Sequence, residues 1–273
     1  MVVLLTSITA AQAADASIAE ATAAVHRNDQ PVATAAATTA PKINILGQDV
    51  TYGEFDGKPL NGYLARPASA SKDLPGLIVI HEWWGLNDNI RGVTDRLAAE
   101  GYQALAVDLY RGGSAETPKQ AIALMQNLNQ NVHVADSNLR QAYDYLDGEA
   151  GAPQIGVIGW CLGGHWSLHA ALLMPDSIDA MVMYYGSVET DEARLATLQM
   201  PIMGNFAAND PIISVDSVNQ FTTTLEKLGK VVDVKIYADA KHAFANPSGL
   251  AYNPKAADDA WKRSIVFLNA NLN

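Results

Sequence analysis

The fold is decided by one stretch of ten residues, Ile155-Gly156-Val157-Ile158-Gly159-Trp160-Cys161-Leu162-Gly163-Gly164. Its first half is apolar without alternation, which is typical of a parallel strand that is buried on both faces. Apolar residues from His165 to Met174 predict a helix directly after it. A nucleophile on a sharp strand-to-helix turn needs small neighbours two positions away on either side, and Gly159 and Gly163 provide them. The stretch therefore predicts the GxSxG nucleophile elbow with Cys161 in place of serine.

On both sides of this stretch, apolar runs alternate with longer segments of helical periodicity. The first two strands, joined through Phe55-Asp56-Gly57-Lys58, read as an antiparallel hairpin. The pattern predicts an α/β fold with a doubly wound, mostly parallel central sheet, helices on both faces and an N-terminal antiparallel edge hairpin. The predicted strands are 43–52, 61–66, 76–81, 103–108, 155–159, 180–185, 201–206 and 232–238, and the predicted helices lie near 89–100, 117–147, 164–174, 214–228 and 255–270.

Composition narrows the class of protein. The chain has 273 residues, of which 49% are hydrophobic and 17% charged, and its formal net charge is -11. Lys and Arg are scattered, so nucleic acid is not expected as a partner. No apolar run reaches the roughly 18 residues of a membrane-spanning helix, so no membrane partner is expected either. Cys161 is the one cysteine, so an internal disulfide is excluded. We expect a monomer.

The N-terminal region differs in composition from the rest. Residues 2–10 are mostly apolar and Ala11-Gln12-Ala13 follows, as in a secretory signal peptide, although the basic start of such a peptide is missing. We therefore predict a signal peptide at 1–14, truncated at its start, with a disordered apolar tail as the alternative. Residues 15–41 are predicted to be a disordered tether rich in Ala and Thr, without chemistry, and 42–273 to be a single α/β domain. Export to the periplasm or outside follows, with a cytoplasmic location as the alternative.

An acid and a histidine follow the cysteine in the order that this kind of site requires. Asp210 comes after the strand at 201–206, and His242 comes after the strand at 232–238. The carboxyl ends of strands are where open α/β sheets bind their ligands. His242 would deprotonate the thiol, and Asp210 would orient the imidazole. Asp239 and Asp216 remain alternative acids.

The motifs around these residues resemble the dienelactone hydrolase family of the α/β-hydrolase superfamily. The resemblance implies a hydrolase of small lactones or carboxylic esters that uses a Cys-His-Asp triad, Cys161, His242 and Asp210, and no cofactor or metal. It also implies that Glu82 contacts the resting cysteine, and that the N–H groups of Trp83 and Leu162 form the oxyanion hole. The matching segments are His81-Glu82-Trp83-Trp84-Gly85-Leu86-Asn87, Val107-Asp108-Leu109-Tyr110, Gly159-Trp160-Cys161-Leu162-Gly163-Gly164, Tyr184-Tyr185-Gly186, Asp210 and His242-Ala243-Phe244.

One position departs from the family pattern. Members specific for dienelactone hold the substrate carboxylate with two arginines. Arg111 stands near the first position, but Asn246 occupies the second, four residues after His242. An amide does not replace a bidentate cation. The resemblance therefore leaves the substrate open between dienelactone and other small esters or lactones.

Other residues allow two interpretations each. Tyr185 and Trp84 would line a substrate pocket or pack in the core, and so would three further aromatic residues near the site. His165 and His169 have the spacing of metal ligands, but no third ligand is near, so helix packing is favoured. His81 would orient Glu82 or serve as a core histidine. The further aromatic residues are Trp83, Tyr110 and Trp160.

The sequence thus favours an exported hydrolase in which the Cys161 thiolate attacks a small ester or lactone and forms a thioester, which water then releases. The alternative is a non-catalytic ligand-binding or redox-sensing module, because an elbow thiol of low pKa is readily oxidised.

Overall fold

The computed structural model describes residues 19–69 and 73–273. The predicted signal peptide, 1–14, and the first residues of the predicted tether, 15–18, lie outside the described residues. In the part that is described, no helix is both long and apolar enough to cross a bilayer.

A single eight-stranded sheet forms the centre of the described chain, in the order β1-β2-β4-β3-β5-β6-β7-β8. The pairs β1–β2 and β2–β4 are antiparallel, and the remaining five pairs are parallel. The predicted α/β fold and edge hairpin are confirmed. The strands are β1 Ile45–Phe55, β2 Lys58–Pro67, β3 Gly76–Ile80, β4 Gln103–Val107, β5 Ile155–Trp160, β6 Ala180–Tyr184, β7 Ile202–Ala207 and β8 Val232–Tyr237.

The residue pattern explains both kinds of strand. Every residue of β3, β4, β5, β6 and β7 is buried, because helices cover both faces of these strands. The hairpin turns at Asp56 and Gly57, whose φ angles are 51° and 68°. Two consecutive residues of positive φ suit the twist of a two-residue hairpin, and Asp-Gly adopts them readily.

Helices pack on both faces of the sheet. One face is covered by α1 and α7, and the other by α2, α3, α4 and α6. The predicted helix at 117–147 is instead two helices that meet at Asn131, which ends one and begins the next, and a π-helical turn follows at Tyr145–Glu149. The short α5 was not predicted. The helices are α1 Asp88–Ala99, α2 Pro118–Gln130, α3 Val132–Asp144, α4 Leu162–Leu173, α5 Glu192–Ala196, α6 Val215–Lys227 and α7 Pro254–Leu272.

Residues 19–41 differ from the disordered tether that the composition predicted. They begin with helix over 19–25 and then run across the domain as extended chain and turns. Ala19, Thr22, His26 and Ala37 are buried. Small Ala and Thr side chains let this segment lie close to the domain. A segment of low-complexity composition is therefore packed against the domain here. We call residues 19–41 the N-terminal strap.

The edge strand β8 carries charges along its length. Lys235 pairs with Asp259 of α7 at 2.7 Å, and Asp233 pairs with Arg263 of the same helix. Tyr237 also donates a hydrogen bond to Asp259, at 2.8 Å. The helix thus holds the polar side chains of this edge in place.

Candidate active site

Cys161 lies on the sharp turn between β5 and α4, with φ 54° and ψ -116°. This left-handed backbone is unfavourable for a residue other than glycine, and such strain is often kept at functional sites. A Cβ on Gly159 would come within 2.2 Å of the carbonyl oxygen of Gly163, and one on Gly163 within 2.2 Å of the carbonyl oxygen of Ile80. The two glycines are therefore required by close packing of the strand and the helix.

Two hydrogen bonds connect the cysteine, the histidine and the acid in series. His242 Nε2 lies 3.1 Å from Cys161 Sγ, and His242 Nδ1 lies 2.8 Å from Asp210 Oδ2. Asp210 Oδ1 accepts two backbone N–H groups from the residues after Pro211. The alternative acids Asp239 and Asp216 are exposed. Of the acids that the sequence left open, Asp210 is the one that contacts the imidazole.

Several groups act on the Cys161 thiol in opposite directions. The side chain is buried, and this desolvation raises the pKa of Cys161. His26 opposes the rise, Glu82 adds to it, and the N–H of Leu162 lowers the pKa again. Because the sulfur stands at the N-terminus of α4, the helix dipole also favours its anion. Thiolate formation at this site therefore depends on neighbouring donors and cations.

Glu82 follows β3 and is buried beside the cysteine. Its Oε2 accepts a hydrogen bond of 2.6 Å from Asn246 Nδ2, whereas Oε1 has no hydrogen-bond partner among the described residues. Burial raises the pKa of Glu82, and His26 and His242 oppose that rise. The sequence led us to expect a contact between Glu82 and the resting cysteine. Here the hydrogen bond of Glu82 goes to Asn246, and that of Cys161 goes to His242.

The peptide between Glu82 and Trp83 is held by His81. His81 Nε2 accepts the N–H of Leu109 at 3.2 Å, so Nδ1 carries the proton and donates to the Glu82 carbonyl oxygen at 2.7 Å. Burial lowers the pKa of His81, which keeps the ring neutral. The Glu82 carbonyl and the Trp83 N–H belong to one peptide group. His81 is therefore both a buried core histidine and a residue that orients the backbone of Glu82.

Two cavities lie beside the site. A cavity of about 80 Å³ is lined by Cys161, Leu162 and His242 together with residues of α2 and the strap. A larger cavity of about 160 Å³ is lined by Glu82, Asn246, Trp160 and Arg96, and Cys161 does not contribute to it. Tyr185 lines both. The smaller cavity is the one that gives access to the sulfur, so it is the one relevant to chemistry at the thiol.

The sequence profile of the dienelactone hydrolase family matches residues 60–272 of this chain. The chain belongs to the dienelactone hydrolase family. Protein usf of Aquifex pyrophilus is 35% identical over 234 residues, covering 83% of this chain and 100% of that protein. A candidate carboxymethylenebutenolidase of Aquifex aeolicus is 30% identical over 234 residues, covering 83% of this chain and 100% of that protein.

Solved structures agree with this assignment. The crystal structure of a candidate dienelactone hydrolase from Klebsiella pneumoniae has a TM-score of 0.74 and 26% identity, covering 83% of this chain and 99% of that one. A bacterial brefeldin A esterase, at 17% identity, shares the fold with a TM-score of 0.66 over 94% of this chain and 86% of its own. The protein is a dienelactone hydrolase-like carboxylic ester hydrolase.

The substrate-binding residues expected from the sequence are dispersed in the structure. Arg111 donates to the carbonyl oxygen of Phe55 at 3.1 Å and lies over its ring, and it lines neither cavity. Trp84 is buried against Trp83, with ring centroids 4.8 Å apart, and it also lines neither cavity. Tyr185 does face the site, because its ring centroid is 5.2 Å from that of His242.

The two histidines of α4 contact different partners. His169 Nε2 contacts Asp136 at 2.6 Å, and His165 Nδ1 contacts the carbonyl oxygen of Ser187 at 3.3 Å. Across residues 19–69 and 73–273, one group of side chains has donor atoms close enough to hold a metal ion: His26, Cys161 and His242, within 4.8 Å of one another.

His26 is the site residue that sequence reasoning missed. It lies in the N-terminal strap and is 3% exposed, and its ring centroid is 5.7 Å from that of His242. His26 Nδ1 lies 2.7 Å from Asp29 Oδ2. The available signal was the pair of a histidine and an aspartate three residues apart inside a run of Ala and Thr.

Proposed function

We propose that this protein hydrolyses a small carboxylic ester or lactone with Cys161 as the nucleophile, His242 as the general acid and base, and Asp210 as the group that orients His242. The observation that supports this most directly is the pair of hydrogen bonds in series, 3.1 Å from sulfur to imidazole and 2.8 Å from imidazole to carboxylate. A nucleophile and its base within hydrogen-bond reach, with the base held by a third group, are the geometric signature of covalent catalysis.

In the acylation step, His242 Nε2 takes the thiol proton and Cys161 Sγ attacks the carbonyl carbon of the substrate. The carbonyl oxygen gains the electron pair, and the N–H groups of Trp83 and Leu162 donate to it. Donors of this kind are worth about 2.7–4 kcal/mol each in other hydrolases. When the C–O bond to the alcohol breaks, the protonated His242 gives its proton to the departing oxygen. The acyl group then remains on sulfur as a thioester.

In the deacylation step, water attacks the thioester carbonyl carbon while His242 Nε2 accepts a proton from it. The intermediate collapses with cleavage of the C–S bond, and the sulfur leaves as thiolate or takes the proton from His242. The products are the carboxylic acid and the free enzyme. The hydrogen bond from His242 Nδ1 to Asp210 stabilises the imidazolium in both steps.

The site is suited to a small substrate that carries no carboxylate. The cavity at Cys161 has a volume of about 80 Å³, so the acyl group that enters it is short. Glu82 lies beside the sulfur, and Arg111 is bonded to the carbonyl oxygen of Phe55. The residues that line the cavity at Cys161 include neither Lys nor Arg, so a substrate carboxylate would meet no cationic clamp there. We therefore infer a neutral short-chain ester or lactone.

The test is hydrolysis of p-nitrophenyl acetate by the full chain, compared with Cys161→Ala and His242→Ala. We expect both variants to lose turnover by roughly 10³-fold or more. Rapid denaturation during turnover followed by mass spectrometry should find one acetyl group on Cys161. Asp239→Asn and Asp216→Asn are matched controls that should retain activity. Wild-type turnover in Cys161→Ala would refute the proposal.

A further inference from the structure

A second histidine faces the cysteine from the N-terminal strap. His26 is buried, and its Nε2 has no hydrogen-bond partner among the described residues. A ring nitrogen of His26, Cys161 Sγ and a ring nitrogen of His242 all lie within 4.8 Å of one another. His26 Nδ1 contacts Asp29 Oδ2 at 2.7 Å. Two imidazoles, each with a carboxylate on Nδ1, are thus directed at one sulfur atom.

We propose that His26, oriented by Asp29, is a second imidazole of the active site that stabilises the Cys161 thiolate, and that the N-terminal strap is part of the working site. The proposal rests on the proposed function only in taking Cys161 as the nucleophile.

The hydrogen bonds fix where protons can reside. An ionised Asp29 accepts only, so His26 Nδ1 carries a proton, just as His242 Nδ1 does toward Asp210. When His26 Nε2 is also protonated, the ring is a cation beside the sulfur. The thiolate that forms when His242 takes the thiol proton is then balanced by the cationic His26, and His242 keeps that proton for the departing oxygen. No proton is created or lost, because the S–H bond breaks as an N–H bond forms on an imidazole.

The surroundings of His26 favour its cationic form. Burial by itself would lower the pKa of His26, but the hydrogen bond with Asp29 and the interaction with Cys161 outweigh burial and raise the pKa to about 9. The groups that face this ring are Asp29 on the strap, Cys161 at the elbow, His242 after β8 and Glu82 after β3. Glu82 is the further anion that a cationic His26 stabilises.

The strap is held where this interaction needs it. Asp29 Oδ1 accepts the N–H of Leu250 at 3.1 Å, and the Thr34 N–H donates to Ser248 Oγ at 2.9 Å. Both partners lie on the loop that follows His242. On α1, a Cβ at Gly92 would come within 2.2 Å of the carbonyl oxygen of Ala37. The loop of one histidine therefore anchors the segment that carries the other.

The chain has a single cysteine, so a thiolate titration reports on this site alone. We would titrate the ultraviolet absorbance of the thiolate in the full chain, with Cys161→Ser as the blank, and compare His26→Gln with the wild type. The pKa of Cys161 should rise by about one unit or more in His26→Gln, which is a tenfold smaller thiolate fraction in the titration range. Asp29→Asn should give a smaller rise in the same direction.

Arg27→Gln is the matched control, because Arg27 is exposed and adjacent to His26 on the same strap. Its thiol pKa should equal that of the wild type. Adding imidazole to His26→Ala distinguishes a direct role of the ring from a merely structural role of His26. If the sulfur in this variant lacks only a second imidazole, the added imidazole should lower the thiol pKa again.

The proposal is overturned if His26→Gln has the wild-type thiol pKa, or if imidazole has no effect on His26→Ala. Failure of the proposed function would look different. In that case Cys161→Ala would retain turnover, whatever the titration of the thiol in the His26 variants.

Discussion

At the scale of single residues, Cys161 has to meet two opposed requirements. The elbow that directs its sulfur at the substrate also buries it, and burial raises the pKa of the thiol that must ionise. The N–H of Leu162 and the imidazole of His26 act against that rise. Ionisation is thus controlled by groups from separate parts of the chain, which no local motif contains.

His81 gives the first prediction. His81→Phe removes the donor that fixes the Glu82 carbonyl, so the Trp83 N–H on the same peptide group loses its orientation. We expect kcat for p-nitrophenyl acetate to fall about tenfold or more with little change in KM, because the lost interaction forms in the transition state. Steady-state kinetics measure this directly.

The control for His81→Phe is Gln103→Ala. Gln103 is also buried and also bridges two parts of the chain, donating to the carbonyl oxygens of Leu74 and Ala150. Both variants should lower the melting temperature, since each leaves buried groups unpaired. If Gln103→Ala lowers kcat as much as His81→Phe does, the effect comes from general destabilisation.

Glu82 gives a prediction about pH. The carboxylate of Glu82 raises the pKa of Cys161, so replacing this charge in Glu82→Gln should lower that pKa. The acid limb of kcat/KM, which reports the free enzyme, should therefore move to lower pH. A pH profile with p-nitrophenyl acetate measures the shift, and Glu100→Gln, at an exposed position, is the control. Movement of the limb to higher pH would contradict the assigned role.

At the scale of elements, the sequence predicts what continuous local patterns encode. All eight strands were predicted, and the five from β3 to β7 stand out most because their apolar runs, buried on both faces, are distinct from their surroundings. The break at Asn131 was missed, since an apolar pattern passes through it and the interruption lies in the backbone of one residue. Composition alone suggested that the strap was disordered, because Ala and Thr look the same in a tether and in a closely packed segment.

The candidate site likewise contains residues that local sequence patterns reveal and residues that they do not. Cys161, Asp210 and His242 could be selected because their order and their places after strands are visible in the chain. The bond between Glu82 and Asn246 and the approach of His26 depend on long-range contacts. Such contacts between distant segments leave no periodicity or spacing in a single sequence.

The elbow predicts different outcomes for two glycine substitutions. Gly159→Ala places a methyl group 2.2 Å from the Gly163 carbonyl oxygen, a backbone atom that cannot move without shifting α4. We expect a loss of about 3 kcal/mol or more in unfolding free energy, measured by urea denaturation. Gly148→Ala has nothing within 4 Å of the new carbon and should be neutral or slightly stabilising. Equal stabilities of the two variants would refute the packing argument.

Docking of the strap should depend on pH. The pKa of His26 is raised from 6.5 to about 9 in the docked state. Its contribution to the docking free energy of the strap is therefore full below pH 6.5 and is lost as pH rises through about 9. Despite burial, hydrogen bonds from His26 and Leu250 hold the pKa of Asp29 below its usual value, so the contribution of Asp29 to docking is lost in acid. The strap should therefore be most firmly docked between these limits.

Trypsin cleavage after the exposed Arg27 measures this docking. The ratio of cleavage rates between His26→Gln and the wild type should be large near neutral pH and approach one above about pH 9, since the wild-type advantage comes from the charged ring. Taking the ratio at each pH removes the pH dependence of trypsin itself. A ratio that stays constant across this range would show that His26 does not contribute through its charge.

At the scale of the whole molecule, the cavity at Cys161 is assembled from distant parts of the chain. Met125 of α2, Thr22 of the strap and Ile213 after β7 all line it. The preference for acyl length is therefore a property of how these elements pack, and the elbow alone does not determine it.

Met125→Ala should widen this cavity. We expect the ratio of kcat/KM for p-nitrophenyl hexanoate to that for the acetate to rise about tenfold, because a longer acyl chain gains room and apolar contact. Met200→Ala is the control, since Met200 is equally buried but lines neither cavity. An unchanged ratio in Met125→Ala would place the acyl group elsewhere.

The charged edge strand β8 has a consequence for how copies of this protein behave in concentrated solution. An open sheet edge can extend by pairing with the edge of another copy, which is a route to aggregates. On β8, Asp233 and Lys235 are held in ion pairs by α7. A strand from another copy that paired with β8 would therefore have to lie next to these fixed charges. These ion pairs therefore protect the chain against edge-to-edge association at one end of its sheet.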